Sequence, residues 1–168
     1  MSAAGNYLTF SLGDFCFGII TTDVVELNKN LDVTLVPKSQ KILKGITNLR
    51  GQIVPVIDMY ERLGIMLGTT TKQTISIVSR CHGVVIALLV DSVGEIIQLE
   101  ENTFEPPPNN FSPATRDLIL GAHKLSEKLL LILDNQKIIN GTGEYPVQPF
   151  EKEIIKGIDI HREQKLLH

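Results

Sequence analysis

The stretch Gly45 to Leu63, GITNLRGQIVPVIDMYERL, decides the fold of this 168-residue chain. Its middle, Ile53 to Ile57, is apolar, β-branched apart from Pro55 and too short for a stable helix, which predicts a buried strand. Proline has no amide hydrogen, so the pattern places this strand at a sheet edge or at a bulge. Arg50 and Gly51 precede it, and glycine can take the positive φ that a tight turn between two strands requires.

A short helix is predicted directly after this strand. Asp58 can accept hydrogen bonds from the first free amide groups of a helix, and Glu61 three residues later completes a capping box. Gly64 then ends the helix after barely two turns. The two carboxylates also form a pair of the kind used in acid–base catalysis, but helix capping explains both.

The composition limits the classes of function. Asp and Glu (19) outnumber Lys and Arg (16), and a net charge of -3 provides no basic field for nucleic acid. Aromatic residues make up 5% and Trp is absent, which disfavours stacking on bases or sugars. Without an export signal or an apolar run of about 18 residues, we expect a cytoplasmic protein. We therefore expect Cys16 and Cys81 to be reduced, structural thiols.

The two halves of the chain are related by an internal repeat. Three residues recur with the same type at a constant offset of 76: Gly45, Leu49 and Asp58 match Gly121, Leu125 and Asp134. A weaker match at an offset of 69 sets Val24 and Glu26 beside Val93 and Glu95. Many short strands in two related units predict an all-β fold of two small barrels packed together. The units span roughly 7–68 and 74–140, and whether they exchange strands is left open.

The repeat differs at one informative place. Asn48, Arg50 and Gly51 have no counterparts of the same type in the second half, so the fold does not require them and a role beyond folding is indicated. Two interpretations of Arg50 stay open. It is either a turn arginine that bonds a nearby carboxylate such as Asp58, or a guanidinium held out for bidentate contacts with a partner's carboxylate.

Catalytic and metal-binding motifs are absent from the sequence. It has no phosphate loop, no dinucleotide-binding glycine pattern, no G-x-S-x-G and no H-E-x-x-H. Cys81 and His82 are adjacent, but no second ligand pair lies at a suitable spacing. The sequence therefore predicts no catalytic residue, no cofactor and no metal. A competing hypothesis is a β-barrel enzyme or small-ligand binder using Asp91, Glu95 and His82, but Glu95 matches Glu26 in the repeat, which favours a structural role.

From Tyr7 to Ile139 the chain resembles the CheW-type family of scaffold proteins, which couple bacterial chemoreceptors to a histidine kinase. The resemblance rests on three segments in the family's order: Val24 to Leu27, Leu43 to Asp58 and Leu89 to Val93. It implies a mainly β fold of two packed, five-stranded SH3-like barrels with short helical segments, and no enzymatic activity. The CheW-like domain would span 7–140, followed by a tail at 141–168.

The resemblance also implies partners. One barrel would bind the regulatory domain of a CheA-type histidine kinase, and a groove near the junction would bind the cytoplasmic tip of methyl-accepting chemoreceptors. The protein would then lie in receptor arrays at the inner face of the membrane and touch the membrane only through receptors. An alternative places the same coupling role in a non-flagellar pathway, such as twitching or gliding motility.

Seven residues match family segments implicated in partner contacts: Val24, Glu26, Gly45, Asn48, Leu49, Arg50 and Gly51. Val24 also fits a core position, and Gly45 and Gly51 also fit the needs of backbone geometry. In the tail, residues 154–167 loosely resemble 118–130, with Gly157 in the place of Gly121. The tail is therefore a truncated third copy or the start of another coupling module, or else an amphipathic segment, helical in part, that lies on the barrels.

Overall fold

A computed structural model describes residues 4–37, 41–66 and 73–138 of the chain. The described residues form ten strands: β1 (Gly5–Leu12), β2 (Phe15–Ile20), β3 (Val24–Lys29), β4 (Leu43–Leu49), β5 (Gln52–Asp58), β6 (Ile75–Cys81), β7 (Val84–Val90), β8 (Ser92–Leu99), β9 (Ile119–Lys124) and β10 (Leu129–Leu133). Two short helices, α1 (Met59–Leu63) and α2 (Pro113–Asp117), and three 3-10 turns (Thr21–Asp23, Glu101–Thr103 and Asn135–Lys137) complete them. The mainly β fold is confirmed. The predicted tail lies outside the described residues.

The strands form two five-stranded sheets that exchange hairpins. Sheet A has the order β8-β1-β2-β10-β9, and sheet B has the order β3-β6-β7-β5-β4. Each sheet therefore combines one hairpin from one half of the chain with three strands from the other half. The chain crosses from sheet A to sheet B between β2 and β3, and returns between β7 and β8.

Each sheet packs apolar residues on both of its faces. One face of each packs against the other sheet in a central core that includes Phe10 and Phe17 of sheet A and Ile77 and Leu88 of sheet B. The second face of sheet B is covered by residues 30–37, which we call the B arm, through Leu31 and Val33. The second face of sheet A is covered in the same way by residues 100–111, the A arm. Because successive side chains of a strand point to opposite faces, apolar residues are present on both faces of each sheet.

The repeated glycines allow the arms to approach the sheets closely. Thr34 of the B arm exchanges two backbone hydrogen bonds of 2.8 Å with Ile46, directly after Gly45. A Cβ atom on Gly45 would clash with the Thr34 carbonyl oxygen. A Cβ atom on Gly121 would lie 2.9 Å from the carbonyl oxygen of Glu105 in the A arm. The repeated glycine is therefore explained by the same close contact between an arm and a sheet in both halves.

Neither unit is a fully closed barrel. Among the described residues, edge strand β3 pairs only with β6, and edge strand β4 pairs only with β5 and with Thr34 of the B arm. Five strands per unit agree with the expected SH3-like form, but an arm, rather than direct pairing of the two edges, covers each opening. No helix in these three segments is long and apolar enough to span a lipid bilayer.

The expectation for Pro55 is wrong. Strand β5 lies between β4 and β7, and its register with β4 is regular at Pro55, so the residue marks neither an edge strand nor a bulge. Pro55 faces Ile46, whose backbone groups bond to Thr34, and pairing with β7 begins one residue later, at Val56. The missing amide hydrogen therefore interrupts no ladder bond.

The predicted helix after β5 is present as α1. Asp58 Oδ1 accepts hydrogen bonds from the Tyr60 and Glu61 amides at 3.0 and 3.2 Å, which confirms the cap. Gly64 ends the helix with φ of 65°, as expected. The reciprocal half of the capping box does not form, because the Asp58 amide donates to the Ile42 carbonyl at 2.8 Å instead.

A candidate partner-binding surface on sheet B

A two-residue turn at Arg50 and Gly51 joins β4 to β5. Their φ angles are 53° and 81°, and Leu49 pairs with Gln52, which defines a type I′ hairpin. Asn48 Oδ1 accepts a hydrogen bond of 2.9 Å from the Gly51 amide and so stabilises the turn. A positive φ is unfavourable for arginine by about 1–2 kcal/mol, because its Cβ approaches the following carbonyl. The turn therefore presents an arginine where folding alone favours Asn or Gly.

Arg50, in the turn after edge strand β4, forms an ion pair with a residue of the opposite edge strand, β3. One of its terminal guanidinium nitrogens lies 2.7 Å from Glu26 Oε2, so the partner is not Asp58, which caps α1. Glu26 lies on β3, at the opposite edge of the sheet from β4. The Arg50 side chain remains 84% exposed, against 21% for Glu26. This exposure leaves most of the guanidinium surface open to a partner.

The structure separates the seven predicted residues by environment. All of them lie on β3, on β4 or in the β4–β5 turn. Val24 is half-buried against the central core, and Leu49 is half-buried under the B arm. Gly45 is buried beneath Thr34. The ion pair brings Glu26 and Arg50 together, with Asn48 and Gly51 in or beside the same turn, whereas the other three residues support the surface from below.

Two apolar residues of this surface were missed by the sequence analysis. Val25 and Leu27 flank Glu26 on β3 and are 48% and 47% exposed. Apolar residues on both sides of an edge strand are the signal that could have identified them, because one face of such a strand is left without a covering element. Arginine is enriched at protein–protein interfaces relative to the rest of the surface. We call Val25, Glu26, Leu27, Asn48 and Arg50 the β3–β4 surface.

The residues of the competing enzyme hypothesis do not form a site. His82 lies in the β6–β7 turn, whereas Asp91 follows the opposite end of β7. Glu95 is exposed on β8, in the other sheet. The described part of the chain contains no group of three His, Cys, Asp or Glu residues that could hold a metal ion.

Cys16 and Cys81 are both buried, as structural thiols are expected to be. Cys16 lies on the face of sheet A that the A arm covers, and Cys81 lies in the central core. Burial raises the pKa of the Cys16 thiol above its ordinary value, although the nearby Lys128 ammonium opposes part of this effect. The neutral thiol is therefore favoured, and it is a poor nucleophile.

Comparisons with known proteins agree with this architecture. A family model described as CheW-like domain matches residues 6–142. The chain is 30% identical over 132 residues to chemotaxis protein CheW of Thermotoga maritima, covering 79% of this chain and 85% of that protein. It is 24% identical over 137 residues to protein FrzA of Myxococcus xanthus, covering 80% of this chain and 79% of that protein.

A solved structure matches the fold as well. The crystal structure of scaffolding protein TtCheW from Thermoanaerobacter tengcongensis superimposes with a TM-score of 0.73 and 31% identity. The match covers 84% of this chain and 96% of that one. Because the family model matches most of the sequence and the solved fold agrees, the chain belongs to the CheW-like domain family.

Proposed function

We propose that this protein is a non-enzymatic adaptor that couples methyl-accepting chemoreceptors to a CheA-type histidine kinase in chemotaxis signalling. Membership of the CheW-like domain family supports this function, as does similarity to proteins named chemotaxis protein CheW and to a scaffolding protein of known structure. An adaptor acts by binding two partners in a fixed arrangement, so its chemistry resides in its surfaces.

The Arg50–Glu26 pair is the observation that carries the proposal at the level of residues. A planar guanidinium offers several donors to a partner carboxylate, and only one of its nitrogens bonds Glu26 among the described residues. Val25 and Leu27, the neighbours of Glu26 in the chain, supply exposed apolar area on the same edge strand. A patch of this kind can anchor an interface of about 800 Å² per partner. We assign the β3–β4 surface to the regulatory domain of the kinase.

The remaining predicted residues then act indirectly. Asn48 and Gly51 hold the turn that presents Arg50, through their 2.9 Å hydrogen bond and the positive φ of Gly51. Gly45 admits the B arm beside β4. Val24 and Leu49 pack against the core clusters beneath the surface. The proposal therefore divides the seven residues into contacting, positioning and packing groups.

The second partner is proposed to be the cytoplasmic tip of a chemoreceptor, bound near the junction of the two sheets. Through this receptor the protein would work at the inner face of the membrane. The receptors that the chain captures identify the pathway. Receptors of a flagellar system support chemotaxis, whereas receptors of a twitching or gliding system support the non-flagellar alternative.

Titration calorimetry and a pull-down with the kinase regulatory domain and a receptor tip test the proposal. Arg50→Ala should leave the circular dichroism spectrum unchanged and weaken binding of the kinase domain by about 1–3 kcal/mol. Lys124→Ala is the matched control, because it removes another exposed ion pair, between β9 of sheet A and Glu105 of the A arm at 3.6 Å. Equal affinities for the parent and Arg50→Ala would remove Arg50 from the interface. A parent protein that binds neither partner would refute the function.

A further inference from the structure

The second crossover between the sheets contains Asp91, which lies between β7 and β8 and accepts hydrogen bonds through its side chain. Its Oδ2 atom accepts a hydrogen bond of 2.5 Å from the hydroxyl of Tyr60, in the helix that follows β5 of sheet B. The same atom accepts a bond of 2.7 Å from the amide of Gly13, in the β1–β2 turn of sheet A. One carboxylate oxygen therefore joins an element of each sheet.

The first crossover, between β2 and β3, contains Asp23, whose side chain also accepts hydrogen bonds. Its Oδ2 atom accepts hydrogen bonds from Gln136 Nε2 at 3.1 Å and from Asn135 Nδ2 at 3.3 Å, in the 3-10 turn that follows β10 of sheet A. Gln136 Oε1 in turn accepts a bond of 2.8 Å from the amide of His82, in the β6–β7 turn of sheet B. This network also connects the two sheets.

Two partner positions of the networks correspond in the repeat, whereas Asp23 and Asp91 are 68 residues apart (91 − 23) and match neither offset. Tyr60 and Gln136 are 76 residues apart, and Gly13 and His82 are 69 residues apart, which are the two offsets of the repeat (136 − 60 and 82 − 13). The side chains nevertheless differ: a phenol in one half corresponds to an amide in the other. In both halves, hydrogen bonds therefore join a crossover, the turn or helix after a strand, and a hairpin turn. The side chains that form these bonds differ between the halves.

The Asp91 connection carries a cost. Its Oδ1 atom is buried and has no hydrogen-bond partner among the described residues. Burying an unsatisfied carboxylate oxygen opposes folding. Apolar packing in the central core is non-directional, whereas hydrogen bonds have a narrow angular preference and can fix a rotation.

We propose that Asp91 and Asp23 are positioning residues, and that their two polar networks fix the orientation of sheet A relative to sheet B. Together they form two clasps at the only two places where the described chain passes between the sheets. Where it concerns partners, this inference rests on the proposed function: the clasps keep the β3–β4 surface in a constant direction relative to sheet A.

Residual dipolar couplings of the full ¹⁵N-labelled chain test the clasps without any partner. In the parent, the amides of both sheets should fit one alignment tensor. Tyr60→Phe, which removes only the hydroxyl, and Asp91→Ala should each require two tensors. Exchange of the Gly13 amide hydrogen should become about tenfold faster in Asp91→Ala. The matched control is Thr9→Val, which removes a 2.7 Å hydrogen bond to the Glu95 carbonyl within sheet A and should keep one tensor.

A single tensor in both variants would overturn the inference, even if their melting temperatures fall, because the bonds would then contribute stability without orientation. If Asp91→Ala does not fold, Tyr60→Phe alone decides, since it keeps the aromatic ring in the core. Because the couplings are measured on the free protein, failure here is separate from failure of the proposed function, which the pull-down alone reveals.

Discussion

Arg50→Asn should preserve or raise the stability of the protein while it weakens binding of the kinase domain. Arg50 occupies the first central position of a type I′ turn, with φ of 53°, and Gly51 occupies the second. The variant creates Asn-Gly, the pair that this turn favours most. Asparagine tolerates positive φ because its short polar side chain bonds locally. The substitution therefore relieves the backbone while it removes the guanidinium.

The expected change in the free energy of unfolding follows from two opposing effects. Relief of the positive φ favours the variant by about 1 kcal/mol, toward the lower end of the range for non-glycine residues. Loss of the ion pair with Glu26 costs about 0.2–1 kcal/mol, since the arginine side chain is 84% exposed and solvent screens the interaction. The free energy of unfolding should therefore rise by about 0–1 kcal/mol, which raises the melting temperature by up to about 4 °C.

The assay pairs thermal unfolding with titration calorimetry against the kinase regulatory domain. We expect a melting temperature equal to or above that of the parent, and an affinity lower by about 1–3 kcal/mol. Gln52→Asn serves as the control, because it changes an exposed residue that flanks the turn without touching the ion pair. A variant that is less stable than the parent would refute the backbone argument, and a variant of parental affinity would refute the role of the guanidinium.

Three further predictions concern the supports of the fold. Gly45→Ala should lower the free energy of unfolding by about 1–3 kcal/mol, because the new methyl group meets the Thr34 carbonyl; an unchanged urea midpoint would contradict this. Arg62→Met should lower it by about 1.5–3 kcal/mol, because the buried guanidinium donates to the Lys137 carbonyl at 2.8 Å; parental stability in urea would show that water satisfies this carbonyl. Burial raises the pKa of Cys16 above 9.0, so the folded state holds this proton more tightly than the unfolded chain. That stabilisation is present below about pH 9 and is lost as pH rises through the raised pKa, so the urea midpoint should fall there less steeply in Cys16→Ala than in the parent; equal slopes would contradict the shift.

Local chemistry allowed part of the fold to be predicted from the sequence. The apolar run around Val54, the turn at Gly51 and the cap at Asp58 each depend on neighbours within a few residues, and all three are present. The repeat of Gly45 and Gly121 also pointed to a shared frame. Its cause, the close approach of an arm to each sheet, became visible only in three dimensions.

Long-range pairing explains what the sequence did not reveal. The carboxylate that bonds Arg50 belongs to Glu26, which lies 24 residues away on another strand, and no local pattern marks it. Pro55 suggested an edge strand, because the sequence does not show that pairing with β7 starts only after it. The crossover clasps join Asp91 to Gly13, which are 78 residues apart. The pairing of β5 with β7 and the contact of Asp91 with Gly13 follow from the exchange of hairpins between the halves, whereas Arg50 and Glu26 both belong to the first half.

Formation of a ternary complex would show whether the chain couples a kinase to a receptor. The chain, a kinase regulatory domain and a receptor tip would be mixed in equal amounts and analysed by sedimentation velocity, alone, in pairs and together. All three components should sediment as one complex, and the kinase domain and the receptor tip should separate when the chain is left out. A chain that releases the kinase domain when the receptor tip binds, or that binds only one of them, would contradict the coupling role.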